Sequence, residues 1–138
     1  VSNANFKKKG PETPQVRAMY YIGLPGFNQN FACDLTREND LIIIRQVKPQ
    51  AQTSMSLSQI QSIDVIPEND FMTRYQHTNA AAPKDQSGFW KMYMVINYMG
   101  SDGQQKMIAF WVSNLEISKL NKFVAAVQEN SPVQNLVL

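Results

Sequence analysis

The sequence is short of several things, and each shortage excludes something. Cysteine occurs once, at Cys33, which rules out an internal disulfide framework and a multi-cysteine zinc site. Histidine also occurs once, at His77, too few for a multi-histidine metal centre. No apolar run approaches the roughly 20 residues that span a bilayer. Charge of either sign is sparse: 13 basic and 11 acidic residues leave a net charge of +2. That balance is too weak to build a nucleic-acid surface from bulk electrostatics, so no nucleic acid is expected as a partner. The phosphate-binding GxGxxG and GxxxxGK[ST] patterns, the nucleophile elbow GxSxG and the zinc motif HExxH are all missing. The N-terminus lacks the basic-then-apolar order of a signal peptide. No cofactor or metal is expected.

What is present fits one globular domain. The chain has 138 residues, 43% hydrophobic and 17% charged, long enough to bury a core and too apolar for a disordered chain. Residues 1–17 carry Lys7, Lys8 and Lys9 with Gly10, Pro11 and Pro14 and almost no apolar pattern, so they read as a flexible basic arm or linker. Ser2-Asn3-Ala4 has the look of an expression-tag scar, and on that reading the natural chain begins upstream. The domain proper is expected over residues 18–129, with a tail from 130 to 138.

From Ala18 the pattern is that of strands. Ala18 to Leu24 is stopped by Pro25 and Gly26. Asn30 to Leu35 and the β-branched Leu41 to Val47 follow, with a turn at Glu38-Asn39-Asp40 and a polar loop at residues 49–53. In "SMSLSQIQSIDVIPEND" the apolar period switches twice, through Met55 and Leu57, then Ile60, then Ile63 and Val65. A turn or bulge at Ser58-Gln59 accounts for this: strand, kink, strand at the corner of a bent sheet. Residues 68–75 read as a poorly patterned further strand, and residues 76–88 as a long surface loop. Trp90 to Met99 and Lys106 to Val112 form the clearest hairpin, across Gly100-Ser101-Asp102-Gly103. Ile108, Phe110 and Val112 are assigned to the core, and Trp111, on the other face, is expected to be partly covered. Ser113 with Glu116 has capping-box spacing, and Leu120, Phe123, Val124 and Val127 then repeat as a helix does, predicting one over residues 114–129.

Three stretches carry a resemblance to the pleckstrin-homology-like superfamily, in its compact bacterial, GRAM-related form. "CDLTRENDLIII" resembles the second turn and third strand of such domains, and "SLSQIQSIDV" their recurring pLxxIxxI corner. "YMVINYMGSDGQQKMIAFWV" with the helix after it resembles their closing hairpin and helix. The resemblance spans roughly residues 18–129 and implies a mainly β fold: a bent, seven-stranded antiparallel barrel capped by a C-terminal helix. It also implies binding or scaffolding in place of catalysis. Members that bind phosphoinositides carry basic residues around the first hairpin; here residues 25–30 contain no Lys or Arg.

The expected function is therefore that of a non-enzymatic interaction domain with a protein or peptide partner. Phe27 at a loop tip and Phe89 with Trp90 at a loop edge are the candidate contacts, because apolar groups there are costly unless covered. The alternative is a membrane-surface module in which Lys7, Lys8, Lys9 and Arg17 meet anionic lipid. A Cys33–His77 nucleophile pair is the third and weakest reading, since a mid-strand cysteine among apolar neighbours acts as a small hydrophobe. One cysteine fits the reducing cytoplasm, though a cysteine-poor domain outside the cytosol is equally allowed; any membrane association falls to a segment outside this chain. No motif speaks to oligomeric state.

Overall fold

A computed structural model describes residues 13–76 and 88–129. Seven strands form one antiparallel sheet: β1 (Gln15–Ile22), β2 (Ala32–Glu38), β3 (Leu41–Gln46), β4 (Ala51–Ser56), β5 (Ile60–Pro67), β6 (Lys91–Met99) and β7 (Gln105–Ser113). Two helices accompany them, α1 (Glu68–Tyr75) and α2 (Ile117–Glu129). The strand order is β4-β3-β2-β1-β7-β6-β5. β4 and β5 are thus the two edges of the sheet, yet only residues 57–59 separate them in the chain. A link that short holds the two edge strands close at one corner, so the sheet has to bend. Among the described residues no β4–β5 pairing follows, and the expected barrel is an unclosed sheet.

The corner itself explains the double switch of period. Leu57–Gln59 is a turn of 3-10 helix, with Leu57 fully buried. Ser56 starts it with a capping box, its hydroxyl accepting from the turn while the Gln59 side-chain oxygen accepts the Ser56 amide at 2.9 Å. The Gln59 amide group then donates to the Met99 carbonyl at 3.0 Å, fastening the corner to the end of β6. β5 resumes with a register shift between Ile60 and Ser62.

Alternation along the strands produces two apolar faces. One gathers Leu35, Ile44, Met94, Ile96, Ile108 and Phe110, all fully buried, and α2 lays Leu120, Phe123, Val124 and Val127 across it. On the opposite face Tyr93, Val95 and Ala109 are buried beneath Phe71 of α1. Phe71 stacks on Tyr93 with ring centroids 4.2 Å apart and meets Tyr21 edge-on at 5.5 Å. Trp111, on this second face, is half-buried: its indole Nε1 donates to Asn30 at 2.9 Å, and the Lys91 ammonium lies 4.4 Å from the ring centre.

Three further expectations change. Residues 68–75 are helix α1 where a strand was expected. Phe71, Met72 and Tyr75 share a helical face, Glu68 and Asp70 lie in the first turn, and Arg74 lies in the last, as the helix dipole favours. The loop expected at 49–53 already enters β4 at Ala51, an edge strand too polar to show an apolar period. The C-terminal helix is in two parts, a 3-10 turn at Asn114–Glu116 and then α2; of the expected capping box only the Ser113 half forms, accepting from the Leu115 amide at 3.1 Å, while Glu116 pairs with Lys119.

Polar tethers fix the loops. The fully buried Gln46 donates to Asn28 at 3.0 Å and to the Pro49 carbonyl at 2.7 Å, and accepts from the Asn28 amide at 2.8 Å. It joins the β1–β2 loop to the β3–β4 turn with its polar atoms satisfied. The Tyr20 hydroxyl both donates to and accepts from the backbone of Leu24. Gly23 has φ +116°, and a Cβ there would strike the Met107 carbonyl and stand 2.8 Å from the Ile108 Cα.

Candidate interaction surface

Two surface features involve the segment that leads from β7 into α2. The first is a set of exposed apolar side chains. The Trp90 amide donates to the Asn114 side chain at 3.0 Å, and the Asn114 amide donates back to the Trp90 carbonyl at 2.8 Å. The clasp fixes the backbone of Trp90 against Asn114, and the chain neighbours Phe89, Trp90 and Leu115 are exposed at 42%, 48% and 63%. Large apolar side chains left exposed are candidate contact residues.

The second feature is a cleft of about 940 Å³ between the start of β1 and α2. Residues 13–17 form one wall. Lys119, Lys122, Phe123 and Ala126 of α2 form the other, with Glu116 and Asp34 also lining the space. The floor is apolar: Phe123 and Val16 are both buried. The rim is charged. Arg17 forks onto Asp34, with bonds of 2.8 and 3.1 Å, and Arg45 approaches the same carboxylate at 3.6 Å. The Arg17 guanidinium holds the Asp34 carboxyl below its ordinary range, against the opposing effect of partial burial. Lys119 pairs with Glu116 at 3.2 Å, whereas Lys122 has no carboxylate partner among the described residues. At the far end Arg37 donates to the Ala126 carbonyl at 2.9 Å, satisfying a carbonyl in the last turn of α2, and its backbone amide donates to the Pro14 carbonyl. Three cations, Arg17, Lys119 and Lys122, therefore line the cleft against two carboxylates, Asp34 and Glu116.

The residues singled out in the sequence fall as follows. Phe89 and Trp90 are both exposed. Phe27 does not join them: its ring packs on Tyr20 with centroids 5.5 Å apart, partly buried against the first core. Its loop leaves β1 at Gly23, beside Met107 and Ile108 of β7, while Trp90 sits beyond Ser113 at the other end of that strand. Arg17 is in β1 and lines the cleft, although the sequence placed it in the arm. Lys7, Lys8, Lys9 and His77 lie outside the described residues. Cys33 is fully buried, and burial pushes its thiol up to about 11, with the Asp34 charge adding to the shift. Among the described residues no group of three His, Cys, Asp or Glu side chains is placed to hold a metal ion, and no helix is long and apolar enough to cross a membrane.

Sequence reasoning missed the cleft and Leu115. The cleft depends on residues 13–17, whose Thr, Pro, Gln and Arg hide a strand start. Leu115 was legible in principle, being the one large apolar residue in the capped turn that falls off the α2 stripe. Compared with known protein families and curated proteins, the chain matches no family model and no curated sequence.

Proposed function

We propose that this chain is a pleckstrin-homology-like interaction domain of the compact bacterial, GRAM-related kind, which binds a protein or peptide partner and has no catalytic role of its own. The observation that carries the reading is the exposure of three large apolar side chains, Phe89, Trp90 and Leu115, on the two segments that the Trp90–Asn114 clasp joins. Aromatic anchors of this type dominate the energetics of protein interfaces. The single bent sheet, with one helix across its first apolar face, is the arrangement that the sequence resemblance implies, short of closure.

A photo-crosslinking amino acid placed at Phe89 tests this reading in cells, with Gln52 on the β4 edge as the control position. One recurrent protein product at Phe89, absent at Gln52 and lost in Trp90→Ala, is the expected result. Liposome sedimentation at two salt concentrations runs beside it. Salt-sensitive binding to anionic vesicles, with no protein crosslink at Phe89, replaces this function with the membrane-surface alternative.

A further inference from the structure

The wall of the cleft on the β1 side consists of five residues in succession, 13–17. Successive side chains of a strand point to opposite faces, so a cavity beside a face would be lined by every second residue. Within β1 the three consecutive residues 15–17 all line it, together with α2 and with no residue of β7, which points to a cleft along the edge of the strand on the α2 side.

That edge is open for a reason visible in the register. β1 pairs with β2 over Gln15 to Met19, but its ladder with β7 begins only at Met19↔Trp111. The ladder stops there although β7 runs on to Ser113, which that register sets opposite Arg17 and which pairs with Lys91 of β6; beyond Ser113 the chain enters the 3-10 turn and α2, and no β7 pairing of residues 15–18 is present among the described residues. The Tyr20 amide and carbonyl are directed to β2, where they meet Phe31 and Asn30. The Pro14 carbonyl is directed to β2 as well, where it accepts from the Arg37 amide. By alternation, the amide and carbonyl groups of Gln15 and Arg17 point the other way, into the cleft.

We infer that an extended segment of the partner, bearing an acidic side chain, adds as a strand to this free edge of β1 and lies between it and α2. The inference rests on the interaction-domain reading above and supplies its binding mode. Gln15 and Arg17 offer backbone hydrogen bonds, the interaction that makes an open sheet edge a template for another chain. Phe123 and Val16 receive the inward-facing side chains. The excess of positive charge around the cleft, with Lys122 unmatched by a carboxylate among the described residues, selects an acidic residue on the segment.

The test uses the full chain and a displayed library of short linear peptides, followed by amide-resolved hydrogen exchange. In the free protein the Val16 and Ala18 amides, facing β2, are protected, and those of Gln15 and Arg17 exchange fast. With a selected peptide bound, the Gln15 and Arg17 amides slow by at least about tenfold. The selected peptides carry an acidic residue, and the double variant Lys119→Glu with Lys122→Glu weakens them at least about tenfold, while the Lys→Arg pair does not. Both lysines are exposed, so neither pair threatens the fold. Protection of Gln15 and Arg17 already complete in the free protein overturns the inference. Peptides that perturb only Trp90 and Leu115 also overturn it, and leave the interaction-domain reading standing. Absence of any saturable peptide overturns it too; only if the Phe89 crosslink fails as well does the interaction reading fall with it.

Discussion

Helix α2 covers one face of the sheet with Leu120, Phe123, Val124 and Val127, a stripe repeating at helical spacing over most of its length. Helix α1 covers the other face with a single fully buried side chain, Phe71, sandwiched between the rings of Tyr93 and Tyr75. What α1 lacks in apolar stripe it replaces with tethers. The Tyr93 hydroxyl donates to Glu68 at 3.1 Å, the Tyr75 hydroxyl donates to Asp64 at 2.9 Å, and Arg74 approaches Asp64 at 3.7 Å. The contrast shows two ways of holding a short helix on a sheet. A hydrophobic stripe works through area and tolerates imprecision; a stacked ring with directional bonds works only when the sheet beneath has already placed its partners.

The substitution expected to cost most strikes where both faces depend on one backbone crossing. Gly23→Ala forces a Cβ into the β7 backbone at a φ that side chains avoid, so a loss above about 4 kcal/mol, or no folded protein, is expected from chemical denaturation. A loss near 1 kcal/mol would mean that β1 and β7 can separate there. Phe123→Ala comes next, at roughly 3–5 kcal/mol, because it empties the centre of the α2 stripe. Phe71→Ala should cost less, about 3 kcal/mol, since α1 is short and can settle over the gap; a larger loss than at Phe123 would reverse the ranking of the two faces. Tyr93→Phe keeps the stacked ring and removes only the bond to Glu68, for an expected loss of about 1 kcal/mol. No change at all would show that stacking alone holds α1.

Cys33, in the first core, gives the mildest test. Its ordinary value of 9.0 rises to about 11 in the folded chain, so between those pH values the unfolded chain has released a proton that the folded chain still holds. Stability from this group should therefore be complete below about pH 9 and decline as pH climbs towards 11, a decline missing in Cys33→Ala. Thiol labelling of the native chain at neutral pH should be slow. Fast labelling would argue that the first core opens readily, and dependence on His77 would bring back nucleophilic chemistry.

Much of the fold was legible in the residues. Alternation of Ile42 with Ile44, and of Ile108, Phe110 and Val112, marked strands and their buried face, because a half-buried strand writes its own period. The α2 stripe and the Ser113 cap were legible for the same local reason. Helix α1 was not, because "ENDFMTRY" offers three apolar residues to a face that exists only once Tyr93 and Tyr21 are beneath it. Its one available signal was Pro67 ahead of an acidic first turn. The exposure of Phe89 and Trp90 was legible, as aromatics at a loop edge, whereas the partial burial of Phe27 was not, because its cover comes from Tyr20 across a loop.

The sequence by itself determined the number and order of most strands, the C-terminal helix, the single domain and the lack of the common catalytic motifs, since each depends on local pattern and composition. Only the tertiary structure decided that β4 and β5 do not pair with each other among the described residues, that Gln46 is the buried fastening between two loops, and that the β1–β7 ladder stops at Met19 and leaves the start of β1 facing α2. Those features depend on which backbone groups meet across the chain, and side-chain identity in a single strand does not encode where its neighbour ends.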